Sequence, residues 1–340
     1  MDKYTIGVDV SRRACTWAVL TSGTREVVAQ GEVARTPQAL ATWAHQMRAQ
    51  WPQAQVLAEA TGGLERRVLE AAQKAGLPAV AVNPERVRHL RRASGQAKTD
   101  CLDAALIALY GAIFPQAAPP VHPLREQMRQ LLIRREQVVH MIQQERMHAF
   151  WAREQGATAM LEDIQQTLAF LEARKAALEA EIQALEDALR QTADPLWQAL
   201  QRIQGSLPGM GPWTARALWV WLPELGHLNR KQVARLTGTA PLAHESGQQR
   251  KRRWVRDGRQ RLRRYLFMSA MVSVRFNPVL RAFYERLLAR GKAKKVALVA
   301  VMRRMVIWVN AMVRDGTVWD PARAWPRTPD EKSPAKMSLR

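Results

Sequence analysis

The stretch YTIGVDVSRRACTWAVLTSGTREVVAQGEV, residues 4–33, predicts three β-strands in succession. It contains three apolar runs, YTIGVDV, CTWAVLT and REVVAQGEV, and Gly23 marks a turn before the last of them. The runs are short and rich in β-branched residues, which favour strands. We therefore expect the chain to begin with three consecutive strands.

Helices and strands alternate after this opening. Apolar residues have helical spacing over Pro37–Trp51 and Leu64–Ala75, and a further helix starts at residues 83–84. The stretch QVLAEATGG and residues 78–82 have the composition of buried strands. The order β-β-β-α-β-α-β-α predicts an α/β domain over residues 1–115, built on a mixed sheet with helices on its faces.

The remainder of the chain is predicted to be all-α. After the linker PQAAPPVHP, we expect a helical coiled-coil and dimerisation region over residues 122–194 and a second helical domain over 195–320. A disordered tail is expected at residues 321–340. The coiled-coil prediction rests on a 3-4 repeat of apolar residues with Lys175 at one a position, although a long amphipathic helix packed on its own domain would show a similar stripe. The apolar positions are Leu161, Ile164, Leu168, Leu171, Leu178, Ile182, Leu185 and Leu189.

The charge of the chain is concentrated near its C-terminus. The 340 residues carry a net charge of +22, and residues 195–340 hold 29 Lys and Arg against 8 Asp and Glu. An excess of this size indicates a polyanionic partner, most simply nucleic acid, and residues 195–340 should form the main binding surface.

Other classes of protein are disfavoured by composition. Cys15 and Cys101 are too few for a disulfide framework, so a reducing, cytoplasmic location is expected. The start MDKYTIGVDVS does not have the pattern of a signal peptide. The apolar stretch Lys295–Met312 carries Arg303 and Arg304 at its centre, so we expect no membrane partner.

Four carboxylates are predicted to meet at one edge of the sheet. Asp9 ends the first strand, and Glu59 ends a later strand, just before Gly62-Gly63. Asp100 and Asp103 are three apart and share one face of a helix. Ligands of open α/β sheets bind at the carboxyl ends of the strands, and oxygen ligands of this kind suit Mg²⁺ or Mn²⁺. Each acid alone has an ordinary explanation, such as a helix start or a strand end, but together they predict a divalent-metal site that acts on a phosphodiester.

Two further features predict contact with nucleic acid. The stretch LPGMG, between two helical stretches, resembles a helix-hairpin-helix, whose glycines let backbone N–H groups approach a phosphate, although a plain interhelical turn would also use glycines. The block Arg250–Arg264 holds nine Lys and Arg and one acid, Asp257. The predicted nucleic-acid-binding residues are Lys98, Gly209, Gly211, Arg250, Lys251, Arg252, Arg253, Trp254, Arg256, Arg259, Arg261, Arg263 and Arg264.

The motifs GVDVS, EATGG and KTDCLDA resemble, in order and spacing, those of a bacterial insertion-sequence transposase family. These are the DEDD-type transposases, which have a RuvC-like, ribonuclease-H-like domain and are related to the Piv invertases. Some are bridge-RNA-guided recombinases. The resemblance implies that Asp9, Glu59, Asp100 and Asp103 are the four catalytic, metal-binding acids.

A second part of the resemblance lies in the pattern GTAP…SGQ…FNP, which is similar to the C-terminal domain of the same family. It implies that Ser246 is a nucleophile that forms a covalent phosphoserine with DNA. Glu245 stands where an Asp is common. The resemblance also implies double-stranded donor and target DNA, a structured guide RNA, and a dimer that assembles into a tetramer in the synapse, acting in the bacterial nucleoid.

Two other functions remain compatible with the sequence. A metal-dependent junction nuclease would use the four acids and water, without Ser246. A non-catalytic nucleic-acid-binding protein would need neither the acids nor the serine. The first predicts that Ser246→Ala leaves activity intact, and the second predicts that Asp9→Asn has no effect.

Overall fold

The computed structural model describes residues 3–94, 100–114, 122–240, 245–246, 249–250 and 258–322. The chain divides into two compact units, Met1–Val121 and His122–Arg340. The predicted coiled-coil region therefore lies in the same unit as the C-terminal helices.

The first unit is a five-stranded mixed sheet with helices. Its strands are β1 (Tyr4–Val10), β2 (Ala14–Thr21), β3 (Val27–Ala34), β4 (Gln55–Glu59) and β5 (Ala79–Val82), and its helices are α1 (Pro37–Gln50), α2 (Arg66–Lys74), α3 (Pro84–Ser94) and α4 (Asp100–Ile113). The strand order is β3-β2-β1-β4-β5. Strands β1, β2 and β3 are antiparallel neighbours, whereas β1, β4 and β5 are parallel. This arrangement confirms the predicted α/β domain, a mixed sheet combined with helices.

The sheet is buried because its central strands are apolar along their length. Ile6 and Val8 of β1 are completely buried, as are Val56 and Leu57 of β4. Two apolar clusters lie in this unit, one containing Ile6 and Val8 and the other containing Leu57. The core therefore fixes β1 and β4 at the centre, and these are the strands that carry Asp9 and Glu59.

The second unit is almost entirely helical, which confirms the all-α prediction for this part of the chain. Its long helices are α5 (Pro123–Glu154), α6 (Thr158–Gln191) and α12 (Lys294–Asp315). The shorter helices are α7 (Pro195–Ser206), α8 (Pro212–Trp221), α9 (Arg230–Leu236), α10 (Gln260–Phe276) and α11 (Pro278–Ala289). A short antiparallel pair, β6 (Glu245–Ser246) and β7 (Gln249–Arg250), precedes α10.

Helices α5 and α6 form a long antiparallel hairpin. They are joined through Gly156, which has a φ of 66°, and ion pairs such as Arg135–Glu179 and Arg146–Glu172 bridge them. The predicted heptad positions of α6 are buried or half-buried, and Leu171 and Leu178 pack with residues of α5. Phe150, Trp151 and Phe170 are exposed towards the end of the hairpin that carries the turn. The apolar stripe therefore has a partner within the chain, and the dimerisation role of this region stays a prediction.

Helix α6 is tied to α8 by a buried ion pair. Arg216 donates from Nε to Oε1 of Glu186 at 2.5 Å and from Nη2 to Oε2 at 3.1 Å. Trp213 lies between the guanidinium groups of Arg216 and Arg135, at 4.2 and 3.6 Å from its ring centre.

Helix α12 is the central helix of this unit. Among the described helices, it alone has the length and apolar composition of a membrane span, but 67% of its apolar window is buried inside the structure. The guanidinium of Arg304 stacks on Phe283 at 3.7 Å from the ring centre, and Asn310 binds the backbone of Gly226 and Leu228. These contacts are those of a core helix.

Candidate acidic centre and nucleic-acid interface

Asp9 and Glu59 lie side by side on neighbouring strands. Val8 of β1 is in register with Ala58 of β4, and the two strands are parallel. Each acid is the next residue along its strand, so both lie at the same level near the carboxyl ends of the strands. Because side chains alternate along a strand, both point away from the face that Val8 and Ala58 occupy.

Helix α4 brings Asp103 to the same edge of the sheet. A Cβ atom at Gly7 would lie 2.1 Å from the carbonyl oxygen of Ala104 and 2.3 Å from the backbone nitrogen of Ala108. Only glycine at position 7 allows helix and strand to approach so closely. Since Asp103 directly precedes Ala104, this approach places the start of α4 near the end of β1.

The carboxylates of Asp9 and Asp103 both act on the charge of Glu59. Partial burial is the main cause of a raised Glu59 pKa, and the neighbouring carboxylates of Asp9 and Asp103 raise it further. The guanidinium groups of Arg91 and Arg88 oppose these effects. Like charges gathered in this way are unfavourable without a compensating cation, so the cluster has the electrostatic character of a cation-binding site.

Among the described residues, Arg91 contacts Asp103 as a cation. Its Nη2 atom donates to Oδ1 of Asp103 at 2.5 Å, and the Asp103 residue is 6% exposed. The sequence reasoning missed this residue. The available signal was the run of arginines in α3, but one-dimensional spacing does not say which of them faces the acids.

The donor set fits a divalent cation that prefers oxygen ligands. Asp100 begins α4 three residues before Asp103, although its side chain lies outside the described side chains, and Lys98 is outside the described residues altogether. Among the side chains that are described, no three His, Cys, Asp or Glu groups are close enough together to bind one ion. The carboxylates Asp9, Glu59 and Asp103 nevertheless supply the hard oxygen donors that Mg²⁺ and Mn²⁺ prefer.

A further acid stabilises the loop after Glu59. Glu65 is buried, and its Oε2 atom accepts hydrogen bonds from the backbone nitrogens of Thr61 and Gly63 and from the Thr61 hydroxyl, at 2.8–3.2 Å. Gly63 has a φ of 122°, a conformation that favours glycine. Glu65 therefore fixes the glycine turn that the sequence placed beside the candidate centre.

Ser246 lies in the β6–β7 pair of the second unit. Its backbone pairs with Gln249, and Glu245 pairs with Arg250. The side chains of these four residues are outside the described side chains. The predicted contacts Lys251, Arg252, Arg253, Trp254 and Arg256 are outside the described residues.

Two arginines of the basic block are engaged within the chain. Arg259 makes a two-pronged ion pair with Glu224, with N–O distances of 2.6 and 2.7 Å, and also donates to the Trp221 carbonyl oxygen. Arg261 pairs with Glu136 of α5. Arg263 is half-buried and Arg264 is exposed. Nucleic-acid binding by these four arginines stays a prediction. Arg259 and Arg261 also form ion pairs within the chain.

The LPGMG turn packs closely on α10. Gly209 has a φ of 94°, and a Cβ atom there would lie 2.0 Å from the Ser273 hydroxyl. Ser269 and Ser273 donate to the carbonyl oxygens of Gly209 and Pro208 at 2.6 and 3.0 Å. Gly211, by contrast, has open space around it at the start of α8. Close packing therefore accounts for Gly209, whereas the surroundings of Gly211 are compatible with the predicted phosphate contact.

The FNP stretch has a clear local role. Asn277 is completely buried and begins α11, where its side-chain oxygen accepts from the backbone nitrogens of Val279 and Leu280. Pro278 follows at the first helical position, which suits proline.

Comparison with known proteins gives two family matches. Residues 6–150 match a model described as DEDD_Tnp_IS110 transposase, and residues 201–285 match one described as transposase of the IS116/IS110/IS902 family.

Individual relatives agree with these matches. The chain is 32% identical over 154 residues to the insertion element IS110 uncharacterized 43.6 kDa protein of Streptomyces coelicolor, a match that covers 43% of this chain and 35% of that protein. It is 24% identical over 338 residues to the pilin gene-inverting protein of Moraxella lacunata, covering 94% and 98%. Among solved structures, the chain is similar to Thermus thermophilus RuvC in complex with a Holliday junction substrate, with a TM-score of 0.26, 18% identity, and coverage of 35% and 99%.

Proposed function

The chain belongs to the IS110-type family of DEDD transposases, and we propose from this that it is a DNA recombinase of an insertion sequence. It cuts and rejoins double-stranded donor and target DNA. The observation that carries the proposal is the gathering of Asp9, Glu59 and Asp103 at one edge of the sheet, where the carboxylates act on each other's charge.

The four acids Asp9, Glu59, Asp100 and Asp103 are the proposed ligands of Mg²⁺ or Mn²⁺. When bound, such an ion stabilises the negative charge that develops on a phosphodiester during cleavage. The contributions of the chain are a fixed strand register for Asp9 and Glu59, and a close helix approach for Asp103. Glu65 keeps the loop after Glu59 in one conformation.

Ser246 is the proposed nucleophile. Its Oγ forms a bond to a DNA phosphorus as the bond from that phosphorus to one strand oxygen breaks. The serine proton is released and the leaving oxygen gains a proton, so the overall balance is unchanged. A hydroxyl of the second DNA then attacks the phosphoserine and restores the serine. The phosphodiester energy is conserved, and rejoining needs no ATP.

The second unit supplies the proposed contacts to nucleic acid. Residues 195–340 carry the excess positive charge, and the LPGMG turn presents Gly211 at the start of α8. We also propose that a structured RNA from the same element guides the protein, and that a dimer forms a tetramer at the bacterial nucleoid. The charge supports any polyanion and so is compatible with both DNA and RNA.

Detection of a covalent adduct tests the proposal. The purified full chain is incubated with Mg²⁺, element-end DNA and the RNA transcribed beside the element, and the products are separated on a denaturing gel. We expect a metal-dependent protein–DNA adduct that is lost in both Ser246→Ala and Asp9→Asn. Ser22→Ala, a serine in a turn of the first unit, is the matched control and should leave the adduct unchanged.

The alternatives give different results in the same assay. DNA cleavage without an adduct, unchanged in Ser246→Ala but lost in Asp9→Asn, would identify a nuclease that uses water. DNA binding without cleavage, unchanged in both variants, would identify a binding protein with no reaction of its own.

A further inference from the structure

The candidate acidic centre already contains a cation supplied by the chain. Arg91 of α3 reaches across to α4 and binds Asp103 at 2.5 Å. The charge of Arg91 also acts on the neighbouring Glu59.

The buried position of Asp103 requires such a partner. A carboxylate with 6% of its residue surface exposed is poorly hydrated, and removing its partner would leave an uncompensated charge. Either a guanidinium or a divalent cation satisfies this requirement. Both together are unfavourable, because two positive charges close together in a partly buried site repel each other strongly.

The geometry of Arg91 permits exchange. Its side chain is 22% exposed, compared with 8% for Asp103, so part of the Arg91 side chain reaches solvent although its Nε atom is buried. Arg88, one turn earlier on α3, is exposed and also acts on Glu59. Residues three apart share a helix face, so Arg91 lies on the same face of α3 as the exposed Arg88. On this face a released Arg91 would meet a polyanion.

We propose that Arg91 is an exchangeable counter-ion and phosphate-binding residue of the acidic centre. It binds Asp103 when no divalent cation is present, and it binds a nucleic-acid phosphate once a divalent cation has taken its place at Asp103. Arginine suits both partners, because carboxylate and phosphate oxygens accept the same pair of parallel N–H donors. The inference rests on the proposed function, since it takes Asp103 to be a metal ligand.

Metal binding without turnover gives the first test. Mn²⁺ is titrated into the full-length protein, and free Mn²⁺ is followed by electron paramagnetic resonance. Arg91→Gln removes the internal competitor and should bind Mn²⁺ about tenfold more tightly than the wild type, the result of about 1.4 kcal/mol of relieved competition. Arg88→Gln, which removes a neighbouring charge that does not contact Asp103, is the matched control and should change the affinity much less.

Phosphate binding gives the second test. Affinity for a labelled DNA duplex is measured by fluorescence anisotropy with Ca²⁺ and with EDTA. Arg91→Gln should weaken binding several-fold with Ca²⁺ and leave it unchanged with EDTA, because Arg91 is held by Asp103 when no ion is bound. A purely structural Arg91 would affect both conditions alike.

The outcomes separate this inference from the proposed function. If the wild type binds Mn²⁺ but Arg91→Gln binds it no more tightly, the exchange is wrong and the metal centre stands. If neither the wild type nor Arg91→Gln binds Mn²⁺, the metal centre and the exchange are both wrong. Arg91→Lys keeps the charge if Arg91→Gln does not fold, and it should bind Mn²⁺ like the wild type but lose the Ca²⁺-dependent gain in DNA affinity.

Discussion

Two arginine–carboxylate pairs in this chain have similar contacts and different surroundings. Arg216–Glu186 and Arg91–Asp103 both have an N–O distance of 2.5 Å. The first pair is two-pronged, its side chains are 8% and 6% exposed, and a tryptophan covers the guanidinium. In the second pair the arginine is 22% exposed, and its charge also acts on a further acid, Glu59.

The difference shows how surroundings decide what an ion pair does. In the closed pair, Arg216–Glu186, both side chains are buried, so the pair serves to join α6 to α8. The open pair, Arg91–Asp103, lies among an excess of negative charge, and its arginine is partly exposed to solvent. The same two functional groups therefore form a permanent structural link in the helical unit and a replaceable one in the acidic centre.

Breaking the closed pair should have the largest effect on stability. Glu186→Ala leaves a buried guanidinium without its carboxylate and should lower the free energy of unfolding by about 3 to 5 kcal/mol. Urea denaturation followed by circular dichroism measures this loss. The double variant Glu186→Leu with Arg216→Met should recover part of it, since no buried charge then remains unpaired. A loss below about 1 kcal/mol in Glu186→Ala would mean that the pair is not closed.

Separating the elements around the open pair should have the next largest effect. Gly7→Ala places a Cβ atom 2.1 Å from a carbonyl oxygen of α4, so the helix must shift. We expect a loss of about 3 kcal/mol in unfolding free energy, at the upper end for overpacking. Mn²⁺ binding should weaken with it. Gly23→Ala, where the added methyl group meets open space, is the control and should be nearly neutral.

Removing a negative charge beside the open pair should slightly stabilise the protein without metal. The pKa of Glu59 is raised in the folded state, so ionised Glu59 opposes folding. This cost is absent at a pH below the unfolded pKa of glutamate and develops as the pH rises through the folded pKa. Glu59→Gln should therefore raise the melting temperature in EDTA at neutral pH. The free energy of unfolding should rise by no more than about 1 kcal/mol.

The pH dependence provides the check on this prediction. The advantage of Glu59→Gln should shrink as the pH falls towards the range in which glutamate is protonated in both states. A gain of equal size at acidic and neutral pH would show that the substitution acts through packing. With saturating Mn²⁺, the wild type should have the higher melting temperature, because the variant has lost a ligand of the ion.

A fully solvated pair should show the smallest effect. Arg174 and Glu181 are 3.4 Å apart with side chains 44% and 49% exposed. Glu181→Gln should change the free energy of unfolding by less than about 0.5 kcal/mol, because solvent screens such pairs. A larger loss, measured in the same urea experiment, would contradict the ranking of the three pairs by exposure.

Much of the first unit could be predicted from sequence because its signals are local. The strand runs, their order and the glycines after β4 are enough to place Asp9 and Glu59 at neighbouring strand ends. The sequence shows Gly7 within the first strand but not why a glycine is needed there. Its role depends on α4, which packs against it and lies almost a hundred residues later in the chain. Arg91 could not be selected from the arginines of α3, because the choice depends on how α3 and α4 pack.

The second unit was harder to predict because its charges and glycines have more than one use. The basic block was evident, but the partners of Arg259 and Arg261 come from α8–α9 and α5, which are distant in sequence. The composition of the LPGMG stretch predicted a phosphate-binding turn. The structure shows in addition that Gly209 packs closely on Ser273. The 3-4 repeat of α6 predicted an apolar stripe correctly, but such a stripe does not specify whether its partner belongs to the same chain.

The α5–α6 hairpin also sets a length. Helix α6 has 34 residues, which at 1.5 Å per residue extends about 50 Å. Duplex DNA rises 3.4 Å per base pair, so this arm is as long as about 15 base pairs, or one and a half turns of the double helix. Phe170 lies 16 residues before Glu186, which is bonded to α8, so a macromolecule held at Phe170 would be about 24 Å along α6 from that core contact. Phe150 and Trp151, nearer the turn, would hold it farther out. Shortening both helices by seven residues would shorten the arm by about 10 Å, so the arm can serve as a molecular ruler.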